Sequence, residues 1–382
     1  MAQPSLVTLS EIYIGIYILL IFLIIFIIYT FIKSVDYYRL STKKEIWNKL
    51  IDDEILLHLF KDNENPNPVI TKEMKSDVFK QFFIERIINS LDSFSGSYRD
   101  KIKNILDIYQ LNQFSQKKLK QKNPYILAQG IRELIIIEDK DALTKIKSFI
   151  NHPNRQVQEE CQFGLVYFLA FDGLYFLDHL KTKLSEWQQI RLLSILPSLP
   201  NCSFEEFEQL IKWLNSSNES IIIFTLKIIQ KSQILRAEDY ILKLLISHNP
   251  KIISQAIKTF TVINSPKTAN HLIEFYPNQE LSIQLEIFNS LQNLDLSHQK
   301  EFLISETLKQ TNISIKKQAV YIYLKNITST EEIKMLFDHN IANELEIKTI
   351  ILEVANKLIF ELNSEIHKDQ ITILNEVILD YK

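Results

Sequence analysis

Ile150–Leu165 reads INHPNRQVQEECQFGL. A polar turn at His152-Pro153-Asn154 leads into a stretch whose apolar positions, Val157, Cys161 and Leu165, fall every fourth residue, one face of an α-helix. The arrangement recurs along the chain. Further turns stand at Asn123-Pro124, Leu184-Ser185, Ser217-Asn218, Asn249-Pro250, Pro277-Asn278, Thr311-Asn312 and Ile341-Ala342. They lie roughly 30 residues apart, a solenoid period. After Pro250 the apolar positions are Ile253, Ile257 and Phe260; after Asn312 they are Ile315, Ala319 and Ile322. A second helix is expected before each turn, at Ala142–Ile150, Phe204–Leu214, Tyr240–Ile246, Thr268–Phe275, Glu301–Leu308 and Glu332–Phe337. Each unit is then a helical hairpin that buries its apolar face only by stacking on its neighbours. The fold class expected is all-α, with a final helix near Glu365–Leu379 closing the array.

The pattern resembles HEAT repeats over about residues 121–382, and Ile150–Leu165 lies nearest to it. Most units lack the Asp and the Val-Arg pair common after the HEAT turn. The tetratricopeptide pattern of Trp, Leu-Gly and Tyr is absent, and an armadillo unit needs a third helix for which the period leaves no room. The resemblance implies a curved stack of helix pairs with a concave binding surface, and no particular partner.

Ahead of the repeats, Ile12–Ile32 reads IYIGIYILLIFLIIFIIYTFI, with no charged residue. As a helix it is about 31 Å long, close to the hydrocarbon thickness of a bilayer. Its Ile, Leu and Phe side chains favour insertion by about 5–10 kcal/mol in sum. A single transmembrane anchor is expected, with Ile12, Leu20, Phe26 and Ile32 in contact with lipid. Lys33, Arg39, Lys43 and Lys44 follow the span, whereas no Lys or Arg precedes it. By the positive-inside rule the N-terminus lies outside and the solenoid in the cytoplasm, at the inner membrane. A cleaved signal peptide would need a basic n-region, a shorter apolar core and a small-residue cleavage site. The Ile, Lys and Asn bias fits an AT-rich, bacterial genome.

The expected organisation is a segment and anchor at 1–33, a juxtamembrane helical connector at 34–120 and the solenoid at 121–382. In the connector, Ile46, Leu50, Ile51 and Leu57 mark a helix leaving the membrane. KDNENPNPV at Lys61–Val69 is a loop, because Pro66 and Pro68 deny helix to the residues before them. The next helix would use Val78, Phe82, Phe83, Ile87, Ile88 and Leu91 as its buried face, and after Gly96 another is centred on Ile102, Ile105 and Leu106. Ser115–Lys122, with four lysines, reads as a solvated linker.

The 43 basic and 46 acidic residues leave a net charge of −3, without the basic field that nucleic-acid binding needs. Only 5 glycines occur, too few for the phosphate loops of most nucleotide-binding folds. Cys161 and Cys202 form no Cys-x-x-Cys pair and suit a reducing compartment. Cys161 sits on a core face, where a thiol behaves as a small hydrophobe. His152, His248 and His339 each fall at a helix end just before a turn, a place the helix dipole favours. No His-x-x-x-His puts two ligands on one face, and no metal or cofactor is expected. Glu205-Glu206-Glu208 and Glu331-Glu332 open helices, with Ser203 and Thr330 as expected N-caps.

The densest aromatic run is CQFGLVYFLAFDGLYFL at Cys161–Leu177, read as two helices meeting at Asp172-Gly173. Not all of Phe163, Tyr167, Phe171 and Tyr175 can face one core stripe, so they form the candidate partner-binding patch. No catalytic constellation stands out. The sequence therefore points to a non-enzymatic, membrane-tethered scaffold that binds another protein, within an envelope or glycan-synthesis complex. The alternative is a HEAT-fold enzyme or enzyme subunit, lyase-like, acting at the membrane.

Overall fold

The computed structural model describes residues 9–61, 65–296, 298–333, 344–362 and 367–381. All regular structure among the described residues is helical, and the chain forms two compact units, Met1–Leu169 and Ala170–Lys382. The turn expected at Ile341-Ala342, His339 and most of Glu332–Phe337 lie outside the described residues.

The first unit begins with α1 (Leu9–Lys61), an unbroken helix of 53 residues. At 1.5 Å per residue it spans about 80 Å. No proline interrupts it, and it stops where KDNENPNPV begins. Its last third supplies Trp47, Ile51, Ile55 and Leu59 to a core shared with α3 (Asp77–Ser93) and α4 (Ser97–Ile108). Between them lies α2 (Pro68–Glu73), opened by Pro68 and capped by the Asn67 side chain, which accepts the Val69 N–H at 2.9 Å. The apolar face of α3 is Phe79, Phe83, Ile84, Ile87 and Leu91. Val78, expected inside, is exposed, and Phe82 and Ile88 are only partly covered. The buried arc is centred on Phe83 because α3 packs against α1 and α4 together, with rings closing on Trp47 and Tyr109. Ile46 is likewise exposed, and Trp47 takes the inward place.

Ser115–Lys122 is not a solvated linker. α5 (Leu111–Lys118) occupies its first half, and Lys118 is buried. α5 lies tightly on α6 (Pro124–Ile137). A Cβ at Gly130 would come within 2.6 Å of the Lys118 Cβ, so only glycine permits this approach. α7 (Leu143–Lys147) and α6 then pack on α8 (Arg155–Leu169). The expected boundary at 120/121 is bridged by these contacts, and the division into compact units falls instead after Leu169.

The second unit opens with a 3-10 helix, Ala170–His179, where two α-helices meeting at Asp172-Gly173 were expected. The break falls at Ala170, whose φ of +52° is left-handed. Next come α9 (Glu186–Ile195), α10 (Phe204–Leu214), α11 (Glu219–Ser232), α12 (Glu238–Leu245), α13 (Pro250–Ile263), α14 (Thr268–Phe275), α15 (Leu281–Leu291), α16 (Lys300–Lys309) and α17 (Ile313–Lys325). After the undescribed stretch come α18 (Glu344–Glu361) and α19 (Lys368–Tyr381). The helices form two layers. One row runs α9, α11, α13, α15, α17 and α18, each packed on the next. The other is α10, α12, α14 and α16, each paired with the helix that follows it, and α19 packs on α18. Phe224, Phe260 and Phe288, one on each of α11, α13 and α15, are all fully buried. Burying such a side chain stabilises by about 1.5–3 kcal/mol.

Candidate interaction surfaces

The apolar half of α1 is the largest exposed feature. Tyr13 through Ile32 carry the chain's most hydropathic window, mean hydropathy 2.9, and none of that window is buried. Leu20, Phe26 and Ile32 are 48%, 65% and 54% exposed; the Ile12 side chain is outside the described residues. Helices of this length and composition meet the requirement for crossing a bilayer. Of the flanking cations, Lys33 lies over the Tyr29 ring at 5.8 Å and Lys44 over Phe82 at 5.5 Å, while Arg39 and Lys43 are exposed.

Below that half, the first unit holds its polar groups inside. Lys118 Nζ sits 2.7 and 2.6 Å from the two carboxylate oxygens of Glu133 and also donates to Gln81 Oε1. Gln81 and Ser115 donate to the same carboxylate at 2.9 and 2.7 Å. Burial pushes the Lys118 pKa down, against the pull of Glu133. A second centre forms at Glu138, the left-handed residue ending α6 (φ 65°). Burial works against its charge, yet hydrogen bonds from Lys103, Tyr167 and Arg99 hold its carboxyl below the usual range. Glu54 accepts the Tyr109 hydroxyl at 2.7 Å, and Tyr109 in turn receives the Asn67 N–H at 2.7 Å. These groups tie helices of the first unit to one another, and Glu54 Oε2 is left buried without a hydrogen-bond partner among the described residues.

The second unit carries an open groove of about 810 Å³ along α9, α11, α13 and α15. Side chains on adjacent helices reach one another across it. Lys227 donates to Gln189 at 2.8 Å, Gln255 to Gln230 at 2.8 Å, and Lys258 pairs with Glu286 at 2.9 Å. Farther along, Gln318 donates to Asn289 at 3.0 Å and Lys317 pairs with Glu353 at 2.6 Å. Burial lowers the Lys227 pKa.

The row is held in register at its helix N-termini. Asn218, Asn249 and Asn312 each cap the helix that follows, and Ser185 does so through a capping box with Gln188. With Asn123 and Asn154 in the first unit, these caps recur in steps of about 31 residues or small multiples of it. Asn218 and Asn249 also reach back one repeat. Asn218 donates to the carbonyls of Leu180 and Thr182, and Asn249 to Glu219 Oε2 at 2.6 Å. The recurring Asn falls at the turns read in the sequence; its capping role and its cross-repeat bond were not read there.

The aromatic patch is not an exposed surface. Phe171 is buried against Trp213, with ring centroids 5.5 Å apart, and Phe163, Tyr167 and Tyr175 are half-buried. Phe163 and Tyr167 lie in the first unit, Phe171 and Tyr175 in the second. The Tyr167 hydroxyl donates to Glu138 Oε1 at 3.0 Å. Cys161 is fully buried and its thiol donates to Ile146 O; burial pushes its pKa up to about 12. His152 Nδ1 accepts the Asn154 N–H at 3.1 Å and so closes its turn. Ser203 caps α10 in a capping box with Glu206. No cluster of three or more His, Cys, Asp or Glu stands together among the described residues.

No protein family matches the chain, and no curated protein matches it. Solved structures do. A mutant of Kap121p is 11% identical, over 80% of this chain and 38% of its own, with a TM-score of 0.51. An engineered protein is 15% identical over 82% of this chain and 98% of its own, with a TM-score of 0.38. At these identities likeness bears on fold alone, and the first supports it. The chain is a helical-repeat, solenoid-like protein with one long apolar helix at its N-terminus.

Proposed function

We propose that this chain is a membrane-tethered scaffold. The apolar half of α1 anchors it in the bilayer, and the solenoid docks another protein beside that membrane. The carrying observation is the continuity of α1, whose first part is fully exposed and apolar while its last part is built into a folded core. Anchor and folded unit are thus one rigid element without a flexible linker. Tethering raises the local concentration of the solenoid near a membrane-bound partner without any new contact. The cations at Lys33, Arg39, Lys43 and Lys44 support an N-out orientation with the solenoid in the cytoplasm. The partner is proposed within the same membrane, in the class of envelope or glycan-synthesis complexes.

A scaffold is favoured over an enzyme by the lining of the groove. Its Lys, Glu and Gln side chains engage one another from helix to helix and form a broad polar face. Washing membranes with alkaline carbonate tests the anchor. The full chain is expected in the pellet, and a variant lacking residues 12–32 in the supernatant. Full-length protein released by carbonate would contradict the anchor. An impermeant thiol reagent that labelled a cysteine added beside Lys382 in intact cells would overturn the orientation.

A further inference from the structure

One lysine in the groove along α9, α11, α13 and α15 stands in a setting that its counterpart one repeat on does not share. Counted from the N-caps, the repeats put equivalent side chains at fixed offsets. Lys258 stands nine residues after Asn249, and its partner Glu286 six residues after Glu280, the cap residue of α15. The same two offsets meet at the next interface, where Gln318, six residues after Asn312, donates to Asn289, nine after Glu280. Lys227 stands nine residues after Asn218 and is the counterpart of Lys258. The counterpart of Glu286 on α13, six residues after Asn249, is Gln255, which donates to Gln230 at 2.8 Å. Where Lys258 has a carboxylate on the following helix, Lys227 has a neutral amide.

Lys227 turns instead to Gln189 on α9. Gln189 is only 3% exposed. Its Nε2 donates to the Leu184 carbonyl at 3.3 Å, which leaves Oε1 to accept Lys227 Nζ at 2.8 Å. The Leu184 N–H is fixed in turn by the Ser220 hydroxyl at 2.9 Å. A buried, uncharged network thus holds a half-buried ammonium in place, and no carboxylate pairs with it among the described residues. A cation partly withdrawn from water and given only a neutral acceptor is short of compensating charge. The remaining lining of the groove does not supply it. Lys183 pairs with Glu219 and Lys258 with Glu286, leaving Lys227 and Lys251 against Glu186, which stands in the first turn of α9. The first turns of all four helices also line the groove, and there the helix dipoles favour negative charge.

We propose that Lys227 binds a carboxylate side chain of an extended acidic peptide segment lying along this groove, as Lys258 binds Glu286. The inference rests on the scaffold reading, in which a docked protein presents the segment. Four adjacent helices with about 8–10 Å between neighbouring axes give a groove of about 24–30 Å. An extended chain crosses that length in about eight residues. Its main-chain amides meet side chains able to donate and accept at Ser254, Gln255 and Ser282.

Fluorescence anisotropy on the detergent-solubilised full chain tests the site, with a labelled octapeptide of alternating Glu and Gly and its Gln-Gly counterpart as probes. The Glu peptide is expected to bind about tenfold tighter than the Gln peptide. Lys227→Gln should remove that difference, and Lys227→Arg should keep it. Gln255→Glu puts the carboxylate inside the chain, and should weaken the Glu peptide to the level of the Gln peptide while leaving the melting temperature no lower. Lys317→Gln, at a lysine outside the groove, should bind as the parent does. Equal binding of the two peptides, or a Glu-peptide affinity untouched by Lys227→Gln and Gln255→Glu, would overturn the proposal. Inorganic phosphate that displaced the peptide at equal concentration would overturn it too, because the site would then take a free anion. Carbonate washing keeps the two readings apart. A chain that pellets but does not distinguish the peptides keeps its anchor and loses this site; one that binds through Lys227 but is released by carbonate keeps the site and loses the anchor.

Discussion

The helices of the first unit and the stacked rows of the second bury similar apolar side chains but are tied together differently. In the first unit, α5 and α6 meet over a buried lysine and carboxylate, closed by a glycine that lets the backbones touch. In the second, neighbouring helices are joined at their ends by Asn caps and between them by pairs that keep at least one partner exposed or half-exposed, the buried Lys316 included, whose partner Glu346 is exposed. A buried ion pair is intolerant of losing one partner. A cap or surface pair is a small, repeated increment. The first unit should therefore be brittle to single substitutions and the second forgiving.

The largest effect is expected at the buried pair. Lys118→Met leaves Glu133 charged and uncompensated, a loss of about 3–5 kcal/mol. Lys118→Met combined with Glu133→Leu should recover most of it, because neither charge then needs a partner. Denaturant unfolding of the detergent-solubilised full chain measures both, and a double variant no more stable than the single one would break the comparison. Next is Gly130→Ala, whose Cβ meets Lys118 Cβ at 2.6 Å and Ser115 O at 3.2 Å. Overpacking of this kind costs about 1–3 kcal/mol, more than the gain in helix propensity. An unchanged melting temperature would show that α5 can shift away.

In the second unit, Asn249→Ala removes the cap of α13 and its bond to Glu219, and a loss of about 1 kcal/mol is expected. Asn312→Ala has no cross-repeat bond described and should lose less; equal losses would mean that the cap alone matters. The smallest effect concerns pH. Glu138 has a folded pKa below its unfolded value, so its contribution is fully present above the ordinary carboxylate range, near pH 4.3, and fades as pH falls through the folded value. Glu138→Gln should flatten the loss of stability on acidification below about pH 4.3. A variant with the same acid profile as the parent would remove Glu138 from that account.

What could be read in the sequence follows the same division. The hairpins of the second unit were legible because each repeats one spacing, so Phe204–Leu214 and Thr268–Phe275 are found where they were expected, and Tyr240–Ile246 and Glu301–Leu308 within a residue or two. Cys161 and Ser203 also carry local signals, a heptad-like spacing and a capping box. The connector has no repeat to average over. Lys118 looks like its solvated neighbours Lys117 and Lys120, and only the three-dimensional approach of Glu133 sets it apart. The face of α3 was misjudged for the same reason: a helix between two partners buries a wide arc that periodicity alone centres one residue off. The aromatic run at Cys161–Leu177 gave no sign of the left-handed Ala170 at which the α-helix gives way to a 3-10 helix.

Depth measurement along α1 tests the central claim most directly. Nitroxide labels placed singly at Leu20, Ile27, Ser34 and Ser41 of the full chain in lipid bilayers can be probed with oxygen, which concentrates in hydrocarbon, and with a water-soluble nickel complex. Relaxation by oxygen should be strongest at Leu20 and Ile27 and give way to the nickel complex by Ser41, marking a span that ends near Lys33. A label at Leu20 as open to the nickel complex as one at Ser41 would place the apolar half of α1 in water and contradict the anchor.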